Sequence, residues 1–202
     1  MTSDPVGPRG VALRKVVTDH LLSLDGYFGG PNGEIDWFGF DEESMEWSRK
    51  IMGAAGSIVM GRRTYELMAQ FWPTPSAMEQ EPYIAKHMTD LPKIVFTRTL
   101  DSSTWKNTTF VHRPVAEMIR EEKQGTGGSI LILGSSTILA PLWTAHLVDE
   151  INVRVQPIVV GKGRPLFGES ELRQPLALKE SRIFQSGVLA LRYEVPAAFP
   201  AA

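Results

Sequence analysis

The 202-residue sequence contains no cysteine, which excludes disulfides, thiolate nucleophiles and cysteine-ligated zinc. That absence fits a reducing cytoplasm. Charge of either sign is also nearly without excess, since 21 basic and 23 acidic residues leave a formal net charge of -2. Nothing in that balance attracts nucleic acid nonspecifically, so DNA and RNA are not expected partners. Long hydrophobic runs are missing too. The uncharged stretch 124–145 exceeds the ~20 residues that span a bilayer, but Gly125, Gly127, Gly128, Gly134, Ser135, Ser136, Thr137 and Pro141 interrupt it. The opening MTSDPVGPRG lacks the apolar core of a secretory signal and reads as a tail.

Several catalytic signatures are absent as well. No GK[ST] follows a glycine-rich turn, which excludes a Walker phosphate loop, and no GxSxG elbow is present. The GTGG cluster at 125–128 precedes its strand, whereas a dinucleotide fingerprint must follow one, which disfavours a standard Rossmann domain. His20, His87, His112 and His146 show no metal-ligand spacing and read as structural or surface residues.

What is present is an alternation of strands and helices. Residues 14–23 read as a strand running into the glycine-rich loop LDGYFGGPNG. DEESMEWSRKIM reads as a helix that Asp41 can cap, with Glu42 and Glu43 at its positive end. SIVM (57–60), KIVFT (93–97), TTFVH (108–112) and SILIL (129–133) read as strands, while RRTYELMAQF, PVAEMIREEK and SSTILAPLWTAHL carry helical spacing. That order predicts one domain over 14–195 with a mostly parallel sheet flanked by helices. INVRVQPIVV, ALKESRIF and VLALRYEV predict antiparallel C-terminal strands at one edge, and 196–202 reads as a second tail.

The stretch MGRRTYE puts Arg62 and Arg63 where a helix begins, although the helix dipole disfavours cations there. A bound phosphate resolves that conflict: free N–H groups at a helix start bind anions, Gly61 permits close approach, Thr64 offers a hydroxyl, and arginines fork onto phosphate oxygens. Solvation of both arginines is the alternative. A second candidate anion site is Gly134, Ser135, Ser136 and Thr137, between SILIL and the next helix, where open α/β sheets bind ligands. Two such turns suit a molecule with two separated phosphate groups, such as NADPH. In the loop after the first strand, Asp25 and Asp36 are candidate proton donors or substrate-orienting carboxylates, and Asp41 is a further acid beside them. Trp37 reads either as a loop anchor or as a stacking wall for a flat ring.

Taken together, SLDGYFGGPNGEIDW, VMGRRTYE, KIVFT, ILILGSSTILAPL and DEINVRVQPIVVGKGRPLF resemble the dihydrofolate-reductase-like superfamily. The branch resembled is the C-terminal reductase domain of the bacterial bifunctional deaminase-reductases of riboflavin biosynthesis. The resemblance implies an NADPH-binding α/β fold in which Gly61, Arg62, Arg63 and Thr64 hold adenosine-side phosphates, Thr97 and Arg98 lie near the 2'-phosphate, and Gly134 to Thr137 wrap the pyrophosphate. It also implies that the loop with Ser23, Leu24, Asp25 and Gly26 covers the nicotinamide beside a small-molecule substrate, and that GKGRPLF lies at a sheet edge where two subunits meet as a homodimer. The implied activity is NADPH-dependent reduction of a pterin-like or aminopyrimidine-ribose substrate, as in 5-amino-6-(5-phosphoribosylamino)uracil reductase. Dihydrofolate-reductase-type activity, or a non-catalytic nucleotide- or flavin-binding role, is the alternative. The zinc deaminase half is ruled out by the missing cysteines.

Overall fold

Parallel strands must be covered on both faces, and this chain places helices between its strands to do so. The computed structural model describes residues 13–168 and 173–196. Its elements are β1 (Val16–Leu22), α1 (Glu42–Gly53), β2 (Ala55–Gly61), α2 (Arg62–Ala69), α3 (Pro75–Gln80), α4 (Pro82–Asp90), β3 (Lys93–Phe96), β4 (Thr108–Val111), α5 (Val115–Lys123), β5 (Ser129–Ile132), α6 (Ser136–Thr144), β6 (Glu150–Val155), β7 (Ala177–Ile183) and β8 (Leu189–Glu194). Apart from Leu13 and Pro196, the expected tails lie outside the described residues.

One sheet holds the strands in the order β4-β3-β2-β5-β1-β6-β8-β7. Pairing is parallel from β4 through β6, and antiparallel pairing starts only at β8. The antiparallel third expected from the sequence is therefore smaller than read, because β6 runs parallel beside β1 from Val17↔Glu150 to Leu22↔Val155. Its central residues, 151–154, are all buried, as an interior parallel strand requires. Two helices between 75 and 90 escape a reading by periodicity because α3 is too short to show one. Their signals are chemical: Pro75 and Pro82 sit in the first helical turn, and Thr74 accepts the N–H of Ala77 at the start of α3.

The alternation along β1 divides the core. Val16 packs with Ile130, Ile132, Ile138 and Leu139 on the α5–α6 side. Val17 packs with Met52, Ile58, Met60, Tyr65, Ile84 and Met88 beneath α1, α2 and α4. α1 starts as read, with Asp41 Oδ1 accepting the N–H of Ser44 at 2.7 Å. α4 ends on the buried Lys93 ammonium, which donates to the carbonyls of Met88, Thr89 and Leu91 at 2.9, 3.1 and 3.0 Å. GKGRPLF does not lie on the sheet edge. It lies against the first loop, through a Tyr27–Pro165 bridge and bonds from Arg164 N to Gly29 O and from Phe28 N to Arg164 O at 2.8 and 3.0 Å.

At the start of β2 the chain passes β5 with no room for side chains. A Cβ on Gly56 would stand 2.7 Å from Gly128 N and one on Gly128 would stand 2.5 Å from Ala54 O, all backbone atoms that cannot swing away. Gly56→Ala is expected to lower unfolding free energy by about 1–3 kcal/mol, read as a fall in the urea midpoint at unchanged slope.

Candidate active site

Above the C-terminal ends of the parallel strands lies a cleft of about 1810 Å³, roughly twice the upper end of the ~300–1,000 Å³ range of ordinary small-molecule pockets. Pairing of Val59 with Ile132 sets Gly61 and Gly134, each two residues further on, side by side where α2 and α6 begin. The two turns touch: a Cβ on Gly61 would meet Ser135 Oγ at 3.1 Å, and one on Gly134 would meet Thr64 Oγ1 at 3.5 Å. Gly134 has φ +80°, in the left-handed region that favours glycine.

Neither helix start is capped by a side chain. The N-cap residues Gly61 and Ser135 make no side-chain cap bond, and Ser135 Oγ instead pairs with Thr137 Oγ1 at 2.6 Å. The first N–H groups of two helices thus open onto the cleft unclaimed by side chains, with their dipoles favouring an anion. Arg62 is held by Glu66 at 3.2 Å and Arg113 by Glu121, whereas Arg63 and Arg98 line the cleft with no carboxylate partner among the described residues. Thr97 is buried and its Oγ1 accepts the N–H groups of Thr99 and Leu100, both at 3.1 Å, which fixes the turn that carries Arg98.

The ten residues read as a phosphate site, Gly61, Arg62, Arg63, Thr64, Thr97, Arg98, Gly134, Ser135, Ser136 and Thr137, all line this one cleft. Asp25, Asp36, Ser23, Leu24, Trp37 and Asp41 are not among its lining residues. Asp25 is fully exposed and accepts the backbone N–H groups of Val160 and Gly161 at 3.2 and 2.8 Å. A hydrogen bond with Ser23, then these N–H groups, hold its carboxyl below the usual value. It ties the first loop to the 156–165 segment. Ser23 Oγ accepts the N–H of Tyr27 inside that loop, Leu24 is 68% exposed, Asp36 is exposed, and Asp41 is spent on capping α1. Trp37 packs edge-on against Phe38 at 4.4 Å, and Ile35, Phe38 and Phe40 line the cleft.

Inside the cleft stand polar residues the sequence reading missed. Asp19 and His20 on β1, Ser48 on α1 and Arg154 on β6 line it. Arg154 Nη2 donates to Asp19 Oδ2 at 2.8 Å, with side chains only 3% and 7% exposed. Burial raises the Asp19 pKa and the Arg154 charge opposes that rise. Burial, together with Arg154, pushes His20 down to about 3, so its ring is neutral at physiological pH. A charged residue inside each of two apparent core strands, Asp19 in VVTDHLL and Arg154 in EINVRV, was the available signal, because a charge facing a core needs a partner there.

The fold and the cleft define a dihydrofolate-reductase-like α/β protein. The RibD C-terminal domain family matches residues 14–190, and the chain belongs to that family. It is 28% identical over 180 residues to the uncharacterized protein YyaP of Bacillus subtilis (strain 168), covering 89% of this chain and 94% of that protein. The deaminase/5-amino-6-(5-phosphoribosylamino)uracil reductase of Thermotoga maritima superposes with TM-score 0.65 at 12% identity, over 91% of this chain and 57% of that one. Dihydrofolate reductase from Enterococcus faecalis, complexed with NADP(H), gives TM-score 0.61 at 14% identity over 90% of this chain and 96% of that one. Among the described residues no helix is long and apolar enough to cross a membrane.

A neutral buried histidine makes stability depend on acid. Unfolded His20 takes up a proton near its ordinary 6.5 and the folded ring resists until about 3, so its contribution is fully present above 6.5 and is lost as pH falls through that window. The slope is at most about 1.4 kcal/mol per pH unit for one proton. His20→Leu should flatten the fall in urea-unfolding free energy over that interval relative to the wild type.

Proposed function

We propose that the chain is an NADPH-dependent reductase acting on a flat, polar heterocycle of the aminopyrimidine-ribose or pterin kind. The observation that carries this reading is the pair of helix starts without side-chain caps, side by side, facing a cleft whose Arg63 and Arg98 lack carboxylate partners among the described residues. Its volume suits a dinucleotide and a second ligand together. The names of the T. maritima reductase and of the NADP(H)-bound E. faecalis enzyme support the same class.

When bound, the dinucleotide would supply the hydride. The chain's own part is positioning and charge. The α6 start, with Ser135, Ser136 and Thr137, would hold the pyrophosphate. Arg62, Arg63 and Thr64 at the α2 start would hold the adenosine-side phosphate, with Thr97 and Arg98 beside it. Asp25 and Asp36 are not among the lining residues, and Asp19 and His20, which are, would be the titratable groups that meet the substrate. Lack of cysteine supports a cytoplasmic setting. The NADPH preference is tested by Arg63→Ala combined with Arg98→Ala. Each charge-assisted bond to phosphate is worth about 1.5–3 kcal/mol, so NADPH affinity should fall by roughly tenfold or more while NADH affinity changes little. Equal losses for both dinucleotides would refute the phosphate assignment.

The outer strand β7 supports pairing of two chains. Among the described residues it ends the sheet with an unpaired edge, and it carries Leu178 and Ile183 at 54% and 81% exposure. Sedimentation should show a dimer that Ile183→Lys converts to monomer, whereas a monomeric wild type would refute the pairing.

A further inference from the structure

The cleft floor carries an ion pair whose hydrogen-bonding capacity is only partly used. Arg154 spends Nη1 on α1, donating to Ser44 O, Ser44 Oγ and Ser48 Oγ at 2.9, 2.9 and 2.8 Å, and spends Nη2 on Asp19 Oδ2. One donor, Arg154 Nε, and one acceptor, Asp19 Oδ1, remain buried without a partner among the described residues. Such groups have given up water and gained nothing in return. Both residues line the cleft. Leu133, level with Asp19 through the Val17↔Leu131 register, and Met45, one residue past Ser44, supply apolar surface beside them.

We propose that the Asp19–Arg154 pair selects a neutral heterocycle presenting a ring N–H beside a C=O, the edge of a lactam or imide. The ring N–H donates to Asp19 Oδ1 and the ring carbonyl accepts from Arg154 Nε. The pair is already neutral overall, so a cationic ring would bring a third charge with no counterpart. The other carboxylate lining the cleft, Glu81, is engaged by Arg49 at 2.8 Å. A diamino ring offers the pattern reversed, with a ring nitrogen acceptor flanked by amino donors, and leaves both orphan atoms unmatched. This inference rests on the reductase reading for its heterocyclic substrate, and it assigns the specificity of that site to two residues.

The test uses the full chain with saturating NADPH and two fluorescent pteridines: lumazine, at a pH where it is neutral, and 2,4-diaminopteridine. Fluorescence quenching should give lumazine a dissociation constant lower by roughly tenfold or more, as one to two buried hydrogen bonds provide. The double variant Asp19→Leu with Arg154→Met removes both charges together, a change that buried pairs often tolerate. It should keep the NADPH-induced rise in melting temperature and lose that preference. Equal affinity of the wild type for the two rings, or an undiminished lumazine preference in the folded double variant, overturns the proposal. If the double variant does not fold, the wild-type comparison decides. A wild type whose melting temperature NADPH does not raise refutes the cofactor reading instead, and the two rings are then compared on the protein alone.

Discussion

Because β5 is hydrogen-bonded between β2 and β1, Ile132 stands level with Val59 on one side and with Thr18 on the other, and the arrangement of the cleft follows from that placement. Strand pairing at one side brings the α2 and α6 starts into contact through Gly61, Ser135 and Thr64. Pairing at the other side sets β1, and β6 beyond it, so that Asp19 and Arg154 face α1 at the inner end of the same opening. A parallel crossover leaves its strand-to-helix loop at the C-terminal edge of the sheet, so the two helix-start turns and the polar floor cannot be separated without changing the strand order.

The two ends of the cleft work by opposite electrostatics. At the helix starts the charge is uncompensated and partly solvent-exposed: Arg63 and Arg98 are exposed, and two dipoles add to them. An anion gains there without a large desolvation cost, because the arginines were never fully dehydrated. At the floor the charges are buried and cancel within one pair. Attraction of a net charge is weak there, and recognition must come from hydrogen-bond pattern. A long ligand that is anionic at one end and neutral at the other matches this division.

The sequence revealed the strand–helix alternation because SIVM, KIVFT and SILIL are short apolar runs bounded by turn residues, and those signals are local. The two helix-start turns that line the cleft were legible for the same reason: Gly61 to Thr64 and Gly134 to Thr137 are each continuous in sequence. Asp19, Ser48 and Arg154 were not, since they come from three elements and meet only through the β1–β6 register and the packing of α1. Asp25 drew attention as an acid in a glycine-rich loop, but its use depends on Val160 and Gly161, far along the chain. No local pattern distinguishes a carboxylate that meets a ligand from one that ties two loops.

That tie has a consequence for the cleft. The first loop contributes Phe28, Gly29, Ile35, Phe38 and Phe40 to the wall, and its path is set by Asp25, by the Tyr27–Pro165 bridge and by the bonds between Arg164 and the backbone of Phe28 and Gly29. Gly163 can lie there only because it has no Cβ, which would stand 2.4 Å from Gly29 O. Residues that line the opening therefore depend on residues outside it. The carboxylate that reads as chemistry in the sequence holds the wall of the cleft, while the carboxylate at its floor stands on a strand and pairs with a residue 135 positions away.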